Sequence, residues 1–262
     1  MSVFKIGTYN VNSIRSRLHI LIPWLEENRP DVLCMQETKV DDAQFPVSDF
    51  SKIGYHAAFK GEKQYNGVAV LSLKEPDDVS CGLADDGPLD ETRLIRVDFP
   101  GICIINTYVP QGRDRDALQY LYKLEWFKRF RRYLERFLAP DGPVIWVGDL
   151  NVAPESMDVH DPKRLLGHVC FTQEVRDAFA DVKSWGFEDI FRRHHPGEGG
   201  QYSFFDYRVP RSVERGLGWR VDHILATAPL AARSLDCRID IRPRLTERPS
   251  DHTIVTATFN LS

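Results

Sequence analysis

Polar side chains with catalytic potential occur in five short segments of the sequence, each at or near an end of an apolar run. In chain order these side chains are Asn10 and Asn12, Glu37, Asp149 and Asn151, Asp222, and Asp251 with His252. Gly148 permits an unusual backbone before Asp149, and Asp149 and Asn151 alternate onto the same side of an extended chain. Because side chains at strand ends can meet at one rim of a scaffold, we expect the five segments to converge.

Together these residue types suit hydrolysis of a phosphate ester. A carboxylate such as Asp149 can take a proton from water while the amide of Asn151 donates to a phosphoryl oxygen. Carboxylates and amides also suit a hard divalent cation, which needs only one or two protein carboxylates. His252 can act in acid–base chemistry if an acidic residue orients it. Each segment alone has a simpler structural explanation, as a turn, a surface acid or a structural histidine, so the hypothesis depends on their conjunction.

Short β-rich runs and a few helical patterns are expected to position these residues. The predicted strands are 4–9, 32–35, 68–73, 94–97, 102–108, 144–147, 221–225, 235–241 and 253–259. Apolar residues at three- and four-residue spacing predict a helix over 116–138, with weaker helices over 162–166 and 174–185. The stretch 14–28 is also helical in pattern, and Pro23 is expected to begin a second segment there. This order predicts two packed sheets flanked by helices in a single domain, residues 1–262.

Composition excludes several classes of protein. The chain has 262 residues and a formal net charge of −4, so its overall charge does not indicate a nucleic-acid partner. Its five cysteines are scattered without CxxC spacing, which argues against a disulfide framework and a thiolate zinc site. The sequence contains no long apolar run or signal-peptide pattern, so we expect a cytoplasmic protein without membrane association. The basic residues of 128–132 are expected to form a solvated helix face, whereas Arg208–Arg220 adjoins aromatic residues.

Six segments, in order, resemble the signature blocks of exonuclease III-like abasic endonucleases, within the endonuclease/exonuclease/phosphatase superfamily. They are TYNVN (8–12), QETK (36–39), NTYVPQG (106–112), GDLNVAP (148–154), GWRVDHILA (218–226) and PSDH (249–252). The GDLN and SDH blocks are typical of the superfamily, and QETK, YVPQG and GWRVD together are typical of its abasic-endonuclease branch. The resemblance spans 4–259 and implies an α/β fold of the DNase I-like type. This fold is a four-layer sandwich of two packed mixed β-sheets flanked by helices, with the active site on one rim.

The same resemblance implies a role for each matching residue. Glu37 is expected to be the principal ligand of Mg²⁺, for which Mn²⁺ is expected to substitute, and the number of metal ions stays open. Asp149 is expected to activate the attacking water, or to act as the acid in an alternative account, and Asn151 to stabilise the transition state. His252, held by Asp222, is expected to contact the scissile phosphate. Tyr108 is expected to approach the phosphate or the leaving oxygen. Besides Glu37, the residues expected to contribute to the metal site are Asn10, Asp149, Asn151, Asp251 and His252, with Asn12 as an additional candidate ligand.

Aromatic residues near the C-terminal part of the chain bear on the substrate. Phe204, Phe205 and Trp219 are predicted to line an apolar pocket for a sugar that lacks its base, since such a site costs least to flip out of the helix. Gln111 and Arg113 are expected to contact DNA. The resemblance thus implies a monomeric Mg²⁺-dependent phosphodiesterase that cleaves double-stranded DNA 5′ to abasic sites. It also implies 3′–5′ exonuclease or 3′-phosphodiesterase activity on 3′-blocked lesions.

Three other functions remain as alternatives at this point. The first is direct incision at uracil or other damaged nucleotides, which a pocket lined by phenylalanine would permit. The second is another phosphoesterase activity of the superfamily, on inositol phosphates or sphingomyelin, although no membrane-binding amphipathic segment is present. The third is a catalytically inert nucleic-acid-binding or scaffold domain. The presence of all the expected catalytic side chains argues against the third.

Overall fold

Two six-stranded mixed sheets form the centre of the molecule in the computed structural model, which describes residues 3–261. The first sheet has the order β11-β12-β1-β2-β4-β3. Its strands are β1 (Val3–Asn10), β2 (Val32–Gln36), β3 (His56–Lys60), β4 (Val68–Ser72), β11 (Ser234–Asp240) and β12 (Ile254–Asn260). The second sheet has the order β5-β6-β7-β8-β10-β9. Its strands are β5 (Asp78–Cys81), β6 (Leu94–Phe99), β7 (Ile102–Tyr108), β8 (Val144–Asp149), β9 (Phe187–Asp189) and β10 (Asp222–Thr227).

Each sheet has apolar side chains on both faces of its central strands. All residues of β2, β4 and β8 are buried, as expected for strands covered on both sides. The inner faces pack against each other through a core that includes Ile6, Val70, Ile104, Val147 and Ile224. The outer faces must therefore be covered by helices.

The helices supply that cover. They are α1 (Leu18–Asn28), α2 (Val47–Lys52), α3 (Leu118–Phe137), α4 (Gln173–Lys183), α5 (Ile190–His194) and α6 (Ala228–Ala231). Phe130 of α3 and Phe179 of α4 pack on the ring of Trp146 in β8, on the outer face of the second sheet. Leu21 and Leu25 of α1 belong to the core on the outer face of the first sheet. The predicted four-layer α/β sandwich is therefore confirmed.

The element boundaries differ from the predictions in two instructive places. Helix α1 is continuous through Pro23 rather than divided by it, because burial of the adjacent Trp24 and Leu25 offsets the lost hydrogen bond. Residues 162–166 form turns instead of a helix. The following Gly167 has a φ of 90°, which is incompatible with a right-handed helix.

The basic cluster on α3 is only partly a solvated face. Lys128 is exposed as expected, but Arg129 is buried and its guanidinium binds Asp85 (2.6 Å) and Asp90 (2.6 Å). Both aspartates belong to the loop between β5 and β6. The acidic run of this loop thus serves to fasten it to α3. Within residues 3–261, no helix is both long and apolar enough to cross a bilayer.

Candidate active site

Strand register places three predicted site residues side by side at the rim of the second sheet. Tyr108 of β7 lies opposite Asp149 of β8 in the parallel pair, and Asp149 lies opposite Asp222 of β10 in the antiparallel pair. In the first sheet Asn10 of β1 lies opposite Gln36 of β2, so Glu37 follows directly at the same rim. The two sheets therefore contribute complementary halves of one site.

Asn10 joins these halves at the floor of the site. Its fully buried amide donates to Oε1 of Glu37 (2.8 Å) and to Oδ2 of Asp149 (2.9 Å). The side-chain oxygen of Asn10 accepts from the backbone N–H of Asn12 (3.0 Å). Each donor of the amide is thus committed to a carboxylate from a different sheet, which fixes the separation of the two acids.

A second polar bridge lies between the sheets just below this floor. The amide of Gln36 donates to Oδ1 of Asn106 (2.6 Å), and Asn106 donates to the carbonyls of Met35 (2.9 Å) and Ala69 (3.0 Å). Gln36 and Asn106 have no role predicted from the sequence, although both lie in the quoted blocks. A polar residue inside an otherwise apolar strand was the available signal, because buried polar groups require partners.

The backbone around Asp149 is unusual in the way its sequence predicts. Gly148 has a φ of 143°, and a Cβ at this position would lie 2.0 Å from the carbonyl oxygen of Thr107. Asn151 has a φ of 49° and its backbone N–H donates to Oδ1 of Asp149 (3.0 Å). Its amide donates to the carbonyl of Val109 (3.0 Å) and to Oδ2 of Asp149 (3.3 Å). Both oxygens of Asp149 are consequently held in place.

The environment of Asp149 makes it a better base than an exposed aspartate. Burial raises the pKa of Asp149; His252 and the Asn10 hydrogen bond lower it, whereas the charges of Asp222 and Glu37 raise it further. The Tyr108 hydroxyl lies nearby, and burial with the charges of Glu37 and Asp149 raises its pKa well above 10. Tyr108 is therefore a proton-bearing hydrogen-bond donor at neutral pH.

His252 and Asp222 form the predicted pair. Nδ1 of His252 lies 2.8 Å from Oδ2 of Asp222, and Nε2 lies 3.8 Å from Oδ2 of Asp149. Burial alone lowers the pKa of His252, but Asp222 and Asp149 more than compensate and raise it to about 10. The ring is held as an imidazolium whose Nε2 is beyond hydrogen-bond distance of Asp149. This nitrogen can donate to a phosphate oxygen.

Glu37 lies in a partly charged setting beside Lys39. The ammonium of Lys39 is 2.7 Å from Oε2 of Glu37 and donates to Oδ1 of Asn12 (2.6 Å). Burial raises the pKa of Glu37, but Lys39 and the hydrogen bond from Asn10 outweigh it, so the net pKa is lowered. Asn12 in turn donates to Oδ1 of Asp251 (3.0 Å). The Asn12 side chain thus links Asp251 to Lys39, and only its backbone N–H contacts the side chain of Asn10.

These residues form the base of a cavity of about 900 Å³. The predicted residues on its lining are Glu37, Tyr108, Gln111, Arg113, Asp149, Asn151, Phe204, Trp219, Asp251 and His252. Phe204 packs on the ring of His252, which brings the aromatic wall next to the reacting centre. Phe205, also predicted to line the pocket, does not line this cavity. The chain is extended here, so Phe205 faces the opposite side and packs on Tyr202.

Several residues of the cavity were not identified from the sequence. His168 packs against the ring of Trp219, with the ring centres 4.6 Å apart, and Arg164 and Arg215 lie on the lining. His168 belongs to the loop that was predicted to be partly helical. Its place beside Trp219 depends on the path of that loop, which no local pattern specifies.

The donor set fits a divalent cation in two ways. Asp149, Asp222 and His252 offer ligand atoms within 4.8 Å of one another. Alternatively, Glu37 has the amide of Asn10 beside it and Asp251 nearby through Asn12. Glu37, Asp149 and Asp251 line the cavity, and Oδ1 of the adjacent Asp222 is buried without a hydrogen-bond partner, so the carboxylates suit a hard cation. The predicted ligands therefore fit a metal ion, and the close trio adds Asp222 to them.

Comparison with known proteins places this site in context. The model of the Endonuclease/Exonuclease/phosphatase family matches residues 7–252. The chain belongs to this family. It is also 34% identical to exodeoxyribonuclease III of Haemophilus influenzae, over 97% of this chain and 99% of that one. The predicted family and enzyme class, a nuclease-type hydrolase, are thereby confirmed.

Solved structures of family members agree with the fold. An AP endonuclease from Archaeoglobus fulgidus is 55% identical and superposes with a TM-score of 0.96, covering 98% of this chain and 100% of that chain. A 3′ phosphatase from Neisseria bound to a product DNA hairpin is 36% identical, with a TM-score of 0.92 and coverage of 98% and 99%. The sandwich and its rim thus belong to a fold that carries both kinds of activity.

Proposed function

We propose that this family member is a Mg²⁺-dependent DNA-repair phosphodiesterase that cleaves duplex DNA on the 5′ side of abasic sites. We further propose that it removes blocking groups or nucleotides from 3′ ends. The proposal rests mainly on one observation: Asp149, Asn151 and the Asp222–His252 pair lie together at the floor of a cavity with aromatic walls. Relatives described as AP endonucleases and as a 3′ phosphatase support both parts.

Asp149 is suited to accept the proton of the attacking water. Its raised pKa makes the carboxylate a stronger base than an exposed aspartate. Hydrogen bonds from Asn10 and Asn151 hold Oδ2 in a fixed direction. The water oxygen then forms the new bond to phosphorus while the bond from phosphorus to the 3′ oxygen of the upstream nucleotide breaks. Positioning of this kind supplies much of the acceleration in phosphoryl transfer.

His252 and Tyr108 supply hydrogen bonds to the reacting phosphate. The imidazolium of His252 is oriented by Asp222 and presents Nε2 to the cavity. Tyr108 keeps its proton and can donate to the phosphate or to the departing oxygen. Both donors act in a partly enclosed cavity, where a fixed dipole stabilises developing negative charge more strongly than water does.

We assign the metal to Glu37, with Asn10 and Asp251 in support. Oxygen ligands are those that Mg²⁺ prefers, and Mn²⁺ accepts the same set. When bound, the cation would neutralise charge on the phosphate oxygens. In the alternative trio of Asp149, Asp222 and His252, the raised pKa of His252 favours the imidazolium, which has no lone pair for a metal. We therefore propose that these residues act mainly on the substrate.

The aromatic wall supports the preference for a base-less sugar. Phe204 and Trp219 lie on the cavity lining beside His252, and His168 packs on Trp219. An abasic sugar is small, apolar on its faces and already unpaired, so it enters such a space at low cost. Arg164 and Arg215 on the same lining are placed to meet the flanking phosphates.

The direct test uses duplex DNA with one tetrahydrofuran residue, purified protein and Mg²⁺. Cleavage at the 5′ phosphate of the lesion is expected, and an uncut strand would refute the main proposal. Parallel duplexes with uracil or a 3′-phosphate, together with a soluble inositol phosphate, separate the alternative substrates. Efficient uracil incision would favour the second candidate activity, and hydrolysis of the inositol phosphate alone would reassign the enzyme.

Variants and metal removal test the assigned residues. We expect Asp149→Asn and His252→Asn each to lower turnover by about 10²–10⁴ without unfolding the protein. EDTA should abolish cleavage, and Glu37→Gln should raise the Mg²⁺ concentration needed for half-maximal rate. Near-normal rates in the first two variants would show that the reacting centre is misplaced. Monomeric state and action in the cytoplasm remain predictions, and sedimentation of the purified protein tests the first.

A further inference from the structure

A completely buried lysine, Lys123, lies behind the active site in the N-terminal half of α3. The ammonium of Lys123 donates to three backbone carbonyls: Gln111 (3.2 Å), Asn151 (2.6 Å) and Val169 (2.8 Å). A lysine has three N–H donors, so the three carbonyls account for all of them. Among the described residues, its other polar contact is the Cys170 sulfur at 3.9 Å, and the charge of Asp149 raises the pKa of Lys123, against a larger lowering by burial, without a direct ion pair.

Burial of the Lys123 ammonium costs solvation free energy, so its presence needs a structural reason. An ammonium removed from water without an ionic partner loses much solvation free energy, and burial lowers the pKa of Lys123. An apolar side chain of similar size would fill the same space at lower cost, as replacements of buried ion pairs show. The three hydrogen bonds are therefore the feature that distinguishes lysine from methionine at this position.

The three carbonyls belong to three separate segments, and each segment borders the catalytic cavity. Gln111 lies after β7, Asn151 after β8, and Val169 directly precedes Cys170; Gln111, Asn151 and Cys170 all lie on the cavity lining. The segments after β7 and β8 are linked by the N–H of Val109, which donates to the carbonyl of Asp149 (3.0 Å), and Ala153 donates to the carbonyl of Cys170 (2.8 Å). Beyond these pairwise links, the Lys123 ammonium contacts all three segments at one point.

Asn151 depends most on this contact. Its φ of 49° is in the left-handed region, where a residue with a side chain needs support from its surroundings. Lys123 donates to the backbone carbonyl of Asn151, and the side-chain amide of Asn151 donates to Val109 and Asp149. The thiol of Cys170 also lies 3.8 Å from the side-chain oxygen of Asn151. Loss of the Lys123 contact would free one end of this residue.

We infer that Lys123 is a positioning residue for phosphodiester hydrolysis, which acts by holding the backbone of Asn151 through its carbonyl. The inference rests on the proposed reaction at Asp149, which is tested separately by cleavage with the unaltered protein. Displacement of a catalytic group by about 1 Å can cost about 100-fold in rate. The effect should fall on kcat more than on KM. The predicted DNA-contacting loop keeps its own hydrogen bond, from the N–H of Arg113 to the side-chain oxygen of Gln111 (2.6 Å), when Lys123 is replaced.

The experiment compares Lys123→Met with Lys128→Met on the same helix, where the lysine is exposed. Single-turnover cleavage of tetrahydrofuran duplex should slow about 100-fold in Lys123→Met, with KM in steady state changed less than about threefold. Lys128→Met should cleave at the normal rate. Circular dichroism and a thermal melt establish that each variant is folded. If Lys123→Met does not fold, Lys123→Gln, which keeps amide donors, replaces it.

A double-mutant cycle with Asn151→Ala separates positioning from general destabilisation. If Lys123 acts through Asn151, its replacement in the Asn151→Ala background should lower the remaining rate less than about threefold. The inference is overturned if the single Lys123 variant cleaves within threefold of normal. It is equally overturned if the full loss persists in the Asn151→Ala background, because the lysine would then act independently of that residue.

Discussion

Replacing Asp222 with asparagine tests the electrostatic core of the site. Asp222 accepts from His252 at 2.8 Å, and both side chains are almost completely buried. Raising the pKa of His252 from 6.5 to about 10 corresponds to a preference of about 5 kcal/mol for the imidazolium, at 1.36 kcal/mol per pKa unit. Asp222 is the strongest of the groups that raise it. Asp222→Asn keeps the size of the side chain and removes the charge.

We expect this variant to lose about 10²–10⁴ in turnover, the range for a mispositioned or wrongly protonated histidine. The pKa of His252, measured by NMR titration of the imidazole in metal-free protein, should fall well below that of the unaltered protein. Asp236→Asn is the matched control, because Asp236 forms a surface ion pair with Arg238 on β11. The control should cleave normally and leave the His252 titration unchanged.

The same pair predicts how stability depends on pH. A histidine whose pKa is raised on folding stabilises the protein fully below the unfolded pKa, about 6.5, and the contribution disappears as pH rises through about 10. In urea unfolding of the metal-free protein, the free energy of unfolding should therefore fall as the pH rises across this window. The fall should be smaller in Asp222→Asn. A variant with normal turnover and an unchanged His252 titration would refute the assignment of Asp222 as the orienting acid.

Two further predictions concern buried polar groups that support the site. Asp158→Asn should lower the free energy of unfolding in urea by about 3–5 kcal/mol, because Asp158 is a buried partner of both Arg220 (2.6 Å) and Arg192, and Arg220 would keep only Asp189 (2.8 Å). A change below about 1 kcal/mol would contradict this. Asn106→Leu should cost about 1–3 kcal/mol in the same measurement, since Gln36 would lose its acceptor. It should also slow cleavage by disturbing the spacing of the sheets, and an unchanged rate would show that this bridge serves stability alone.

Some of the site was predictable because it depends on local sequence. An apolar strand that ends at Asp149, with Asn151 two residues beyond it, presents these two side chains at a rim whichever strands lie beside it. Helix α3 was equally clear, because its aromatic residues recur at helical spacing and pack on β8. The short strands β3, β5 and β9 were missed. Strands β3 and β5 are partly or largely exposed edge strands that carry little apolar alternation, and β9 has only three residues.

Other features depend on contacts between distant segments. The sequence cannot show that Asn10 donates to both Glu37 and Asp149, because the bond to Asp149 joins residues 139 positions apart. Phe205 and Phe204 have identical side chains, and only the course of the backbone decides which of them faces the cavity. Arg129 belongs by pattern to a solvated face, yet it is buried because the acidic loop before β6 folds over it.

Residue types and their spacing are enough to specify the chemistry available to this protein: carboxylates, amides and a histidine at strand ends, in an order that identifies the family. They are enough because residue type and the period of a strand are local properties. Tertiary structure alone decided how those groups act on one another. The raised pKa of His252, the double contact of Asn10 and the three carbonyls on Lys123 arise from burial and from approach of distant segments. These are properties of the folded sandwich rather than of any segment within it.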